Sequence, residues 1–126
     1  MELDFIDNVN EFGESVVRLY NFDKSQAIQL RDLIIQTVIL KKQRLDLSKV
    51  DFIEPRNCNL IFGLFKTDEG ILSSDKQTFY CALTPEAYTN MLKLIEPFCL
   101  KNTKGHQYLY DIDNPIDFLF SPAGTW

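Results

Sequence analysis

Apolar positions along the chain recur with two different spacings, and the places where one gives way to the other divide it into elements. Over residues 14–22, Val16, Val17, Leu19, Tyr20 and Phe22 crowd together around the turn residues Asn21 and Asp23, which is the pattern of a strand. Asp23 followed three residues later by Gln26 makes a capping box. Beyond it Ala27, Ile28, Leu30, Leu33, Ile34, Ile35 and Val38 oppose a polar line of Gln29, Asp32, Gln36 and Gln43, which predicts an amphipathic helix to about Leu40. Its apolar stripe is broad, so the helix is expected to lie flat against a sheet.

Residues 45–55 read ambiguously, and Pro55 bars a central strand there. A clear strand follows, with Cys58, Leu60, Phe62 and Leu64 on one face. Asn59, Ile61, Gly63 and Phe65 form the other face, which is expected to be at least partly covered. Residues 66–77 carry turn residues around a small Ile71-Leu72 pair, and residues 78–83 read as a second strand, so the two strands predict a long hairpin.

Thr84-Pro85-Glu86 combines an N-cap hydroxyl, proline at the first helical position and an acid in the first turn, which starts a helix. Its apolar set is Tyr88, Met91, Leu92, Ile95, Phe98 and Cys99, and Pro97 is expected to limit its length. The face Tyr88/Met91/Leu92/Ile95 is expected to meet the strand face Cys58/Leu60/Phe62/Leu64. Residues 108–112 and 116–120 then read as strands joined through the turn Asp113-Asn114-Pro115. With no repeat or linker, the order predicts one α+β domain over residues 1–126. It is a two-layer sandwich in which two helices pack on one face of a mostly antiparallel sheet.

Composition adds limits to this picture. With 126 residues, 45% hydrophobic, 5 Gly and 5 Pro, the chain has the makeup of a globular domain large enough to bury a core. The longest apolar run, near residues 34–40, is broken by Gln36 and falls short of a membrane span. The acidic start Met-Glu-Leu-Asp-Phe does not read as an export signal, so a cytoplasmic location is expected.

A net charge of -5 argues against nucleic acid and anionic membrane as partners. Six bases (Lys24, Arg31, Lys41, Lys42, Arg44, Lys49) stand against Asp32 and Asp46 over residues 24–50, where the end of a helix favours cations. Cys58, Cys81 and Cys99 are odd in number and have no Cys-x-x-Cys, so they read as core residues, and neither metal nor cofactor is expected.

Catalytic candidates are few. Gly-x-Ser-x-Gly, the phosphate loop, Gly-x-Gly-x-x-Gly and His-Glu-x-x-His are all absent, and the one histidine, His106, follows Gly105 at a loop-to-strand junction. Residues 111–117 gather Asp111, Asp113, Asn114 and Asp117, oxygen donors of the kind a hard cation takes. An EF-hand reading fails because Ile116 replaces the glycine and Pro122 the final glutamate, and a self-satisfied turn is the expectation.

The function expected is that of a non-enzymatic protein-binding or regulatory domain, of which a neutralising, immunity-type partner of a basic protein is one form. Contact is expected in residues 106–126, which hold five of the sixteen aromatics, and specifically at Asp111, Asp113, Asp117 and Trp126. The alternative is a small enzyme or ligand-binding domain with a pocket between helices and sheet, carrying Glu54, Arg56 and His106.

Overall fold

The chain forms two sheets and two helices around one apolar core, in a computed structural model that describes residues 1–123. In chain order the elements are β1 (Glu2–Ile6), β2 (Ser15–Tyr20), α1 (Lys24–Leu33), a π-helical segment (Ile34–Leu40), β3 (Leu45–Asp46), β4 (Glu54–Pro55) and β5 (Asn59–Leu64). They continue with β6 (Gly70–Leu72), β7 (Thr78–Leu83), α2 (Pro85–Leu100), β8 (Gln107–Tyr108) and β9 (Ile116–Ser121). At about 29% helix and 31% strand this is the α+β class that the pattern predicts.

The sheet itself differs from expectation in two ways. It is divided in two, in the orders β4-β1-β2-β9-β8 and β3-β5-β7-β6. The pairs β1–β2, β8–β9, β3–β5 and β6–β7 are antiparallel, whereas the central six-residue ladders, β2–β9 and β5–β7, and the short edge pair β1–β4 are parallel. The long hairpin predicted for β5 and β7 is therefore replaced by a parallel pair. The Ile71-Leu72 pair explains this, because β6 is itself a strand that reverses the chain, so that β7 returns in the direction of β5 and slots between β5 and β6.

Between β6 and β9, side chains take the place of backbone pairing. The Ile71 N–H donates to the Tyr110 hydroxyl (3.2 Å), which donates to the Ile116 carbonyl. Asn114 uses its whole amide: Nδ2 donates to the Glu69 carbonyl (2.6 Å) and the Ile71 carbonyl (3.2 Å), and Oδ1 accepts from the Ile116 N–H (2.7 Å). Gly70 makes room for this seam. It sits at φ +79°, and a Cβ there would lie 2.8 Å from Asn114 Nδ2 and 3.2 Å from Tyr110 Cζ.

The inner faces meet through rings, Phe5 against Phe79 at 4.7 Å and Phe62 against Phe118 at 5.8 Å between centroids. Helix α2 adds Tyr88 and Phe98, the latter edge-on to Phe120 at 5.1 Å. The Tyr88 hydroxyl is inserted between the central strands of the second sheet, accepting from the Gly63 N–H (3.0 Å) and donating to the Cys81 carbonyl.

Both N-caps form as read, with Asp23 and Gln26 closing a capping box and Thr84 Oγ1 accepting from the Ala87 N–H. The first helix changes at Ile34 into a π-helical segment with Ile34 and Val38 buried. Helix α2 passes Pro97 and runs to Leu100, its last turn held by the buried Phe98 and Cys99. Strand β1 carries a period-two alternation in which Leu3 is buried while Glu2 and Asp4 face outward toward Arg56 and Arg18. The three cysteines are buried and unpaired, and burial pushes the Cys58 and Cys81 thiols up to about 12.

Leu92 is half-buried, whereas Tyr88, Met91 and Ile95 are fully enclosed, so the predicted helix face is correct apart from Leu92. In urea melts Met91→Ala should cost about 2 to 5 kcal/mol, Leu92→Ala less, and the exposed Lys93→Ala within about 0.5. Equal costs at all three positions would refute this packing.

Gly70→Ala should cost more than about 1 kcal/mol, through its positive φ and the clash with Asn114. That cost should shrink in an Asn114→Ala background, and an unchanged cost in this double-mutant cycle would show that the seam is not what Gly70 accommodates.

Candidate functional site

The outward face of the second sheet is built from the alternate residues of its strands. Ile61 and Gly63 come from β5, Tyr80 and Ala82 from β7 and Leu72 from β6, with Phe65 just beyond the end of β5. Period two forces these residues outward once Leu60, Phe62, Phe79 and Cys81 point into the core. Ile61, Gly63 and Ala82 are half-buried, and the other three are more open. Phe65 and Leu72 are each 45% exposed and Tyr80 is 42% exposed, so three large apolar side chains share one face. They frame an open groove of about 460 Å³ whose lining includes Arg44 and contains no carboxylate. A second recess of about 660 Å³ continues from it, sharing Arg44 and Ile61, reaching Leu33 and Phe52, and lined also by Asp46, Lys49 and Asp51.

Arg44 occupies the junction of the two recesses. Its stem lies over the bare backbone of Gly63, where a Cβ would be 3.5 Å from Arg44 Cγ, and its guanidinium carbon is 5.8 Å from the centre of the Tyr80 ring. The other three arginines are all ion-paired. Arg18 grips Asp4 through two bonds of 2.8 Å and stacks on Tyr20 at 4.1 Å. Arg31 reaches Asp32 (3.1 Å) and Glu96 (3.3 Å), and Arg56 reaches Glu2 (2.6 Å) and Glu54 (3.2 Å). Among the described residues Arg44 has no carboxylate partner, so its planar fork of donors is open to one.

The Ser73 hydroxyl donates to the Thr78 carbonyl (2.8 Å) in the turn between β6 and β7. Burial holds the Cys81 thiol near 12, far above the range in which a thiolate acts as nucleophile.

The residues singled out from sequence fall elsewhere. Asp111 and Asp117 converge on a separate cavity of about 480 Å³ at the β8–β9 edge, with Tyr108, Tyr110 and Leu94. Asp113 is exposed and does not line it, and Trp126 lies outside the described residues. Glu54 and Arg56 form an exposed ion pair at strand β4. His106 stands beside β8, with its ring edge-on to Tyr108 at 6.1 Å. Strands β4 and β8 are opposite edges of the five-stranded sheet, so Glu54, Arg56 and His106 do not share a recess.

Among the described residues no three His, Cys, Asp or Glu side chains gather as a metal site, and no helix is long and apolar enough to cross a membrane. The groove was missed in sequence because its residues come from three strands whose order is not readable locally. The one local signal was the Asn59/Ile61/Gly63/Phe65 alternation, which reads as an at least partly covered face; Asn59, Ile61 and Gly63 are half-buried and Phe65 is exposed. The chain matches no protein-family model, no curated protein and no solved structure.

Withdrawal from water, with the Glu14 carboxylate adding repulsion, raises the Asp117 carboxyl above its ordinary value. The folded protein thus holds this proton to higher pH than the unfolded chain does, so the contribution of Asp117 to stability falls as pH rises from about 3.9 through the raised value. Asp117→Asn should therefore raise the melting temperature at pH 7, with the gain vanishing in acid where both side chains are neutral. A lower melting temperature at pH 7 would show that the carboxylate is favourably held.

Proposed function

We propose that the chain is a protein-binding domain whose contact surface is the outward face of the four-stranded sheet. The observation that carries this reading is the grouping of Phe65, Leu72 and Tyr80 around one groove, each more than two-fifths exposed. Apolar side chains scattered singly over a surface need no explanation, but a contiguous set does. Tyrosine and arginine at the centre of a groove are also the residue types on which binding energy concentrates in protein interfaces. The occupant is a segment of another protein with apolar side chains seated against Ile61, Leu72 and Tyr80. Binding rather than catalysis fits the absence of an activated nucleophile or paired acid and base in the groove.

The test is site-specific photo-crosslinking in an extract of the source organism, with p-benzoylphenylalanine placed at Leu72 or, separately, at Asp117. A discrete adduct from position 72 that disappears when Tyr80→Ser is added is the expected result. An adduct confined to position 117, or none from position 72, would place the contact at the β8–β9 edge or remove the reading.

A further inference from the structure

Resting on that reading, we infer that the segment bound in the groove is acidic, with an Asp or Glu carboxylate held by Arg44 beside the apolar side chains that fill it. Three of the four arginines already meet carboxylates of this chain, and Arg44 is the exception. Among the described residues it is also the only charged side chain lining the groove. The exposed Arg44 side chain makes two contacts with the groove.

The aliphatic stem rests on Gly63, where no side chain intervenes, and the guanidinium faces the Tyr80 ring. A guanidinium is planar by its own delocalised bonding and presents its donors as a fork that receives a carboxylate through two parallel bonds, while the ring face adds an attraction to the cation. The groove wall around it is apolar, supplied by Ile61, Leu64, Phe65, Leu72 and Ala82. An ion pair formed there as an apolar segment seats would be shielded from water and stronger than one on the open surface. A basic segment seated in the groove would bring its charge against Arg44, since Asp46 and Asp51 line the adjoining recess and not the groove itself. The net charge of -5 also disfavours a second copy of this chain as occupant, since both surfaces would carry the same excess.

The experiment selects random dodecapeptides displayed on phage against the intact protein and titrates the enriched peptides, made synthetically, by fluorescence anisotropy. Binding is compared for wild type, Arg44→Glu, Arg44→Lys, and whichever of Leu72→Asp and Phe65→Asp keeps the wild-type melting profile.

The expected result is a set of peptides joining Leu, Phe or Trp to Asp or Glu. Their affinity should fall about tenfold to a hundredfold in Arg44→Glu, fall less in Arg44→Lys, and be lost in the apolar-face variant. Peptides that are lost in the apolar-face variant but carry no acid, or bind Arg44→Glu as tightly as wild type, would overturn the acidic specificity and leave the docking face standing. Peptides that bind regardless of the apolar-face variant, or no enrichment at all, would overturn the docking face and this inference with it.

Discussion

The amide of Asn114 is the constraint on which the arrangement of the two sheets depends. Both hydrogens of its Nδ2 go to carbonyls at β6, and its Oδ1 receives the first N–H of β9. With the Tyr110 hydroxyl relaying from Ile71 to Ile116, it replaces the backbone ladder that would otherwise join β6 to β9. Side chains at a seam set no strand direction or register. The sheets are thus free to turn their inner faces together, and Phe5 meets Phe79 while Phe62 meets Phe118. The seam also satisfies the free edge of β6, a short strand whose unpaired backbone would otherwise invite another chain. Strand β6 is thereby pinned from both sides, by β7 and by the seam, and Leu72 is held at the rim of the groove.

The two outward faces are chemically unlike, and the difference separates a finished surface from one able to receive a partner. On the five-stranded sheet, Glu2, Asp4, Arg18, Tyr20 and Arg56 satisfy one another through ion pairs, a stacked ring and hydrogen bonds. At its edge the Asn57 side chain both accepts from the Phe5 N–H and donates to the Phe5 carbonyl, imitating one more residue of strand. The Arg56 pairs lie at the open surface and contribute little to stability, whereas the two-bonded Arg18–Asp4 pair is mostly buried; together they leave few groups for a ligand to gain by meeting. On the four-stranded sheet Asn59 donates to Asp46 at one end of the outward face, while Phe65, Leu72 and Tyr80 stay exposed and, among the described residues, Arg44 has no ion-pair partner.

Local chemistry made the helices legible. Asp23 with Gln26, and Thr84 with Pro85, are signals contained within a few residues, and both helices begin where those signals stand. The turn at Asn114 was legible for the same reason, since an asparagine satisfying its own backbone is a local event. Its second role was not, because Glu69 and Ile71 are more than forty residues away. The parallel direction of β5 and β7 was hidden by the shortness of β6, whose three residues read as a loop with two apolar side chains. Strand β1 was hidden differently, because Glu2 and Asp4 drew attention as charge while their alternation with Leu3 and Phe5 was the informative feature. The groove was least legible, as its lining depends on strand order.

An acidic chain that prefers an acidic segment is not a contradiction once range is considered. At physiological ionic strength, charges on the surface are screened over roughly 8 Å, so the excess of -5 acts as a weak background on encounter. What decides a contact is which charges lie within reach of the partner after docking and whether they already have partners. Arg44 has the Tyr80 ring and apolar groove walls beside it and, among the described residues, no carboxylate at ion-pair distance, Asp46 and Asp51 lining the adjoining recess. The acids of the five-stranded sheet are by contrast already engaged by Arg18 and Arg56. Counting charge along the sequence weights these groups equally. The fold does not, because placing Asp4 opposite Arg18 on paired strands removes both from the reckoning, while placing Arg44 over Gly63 leaves its charge at the mouth of an apolar groove.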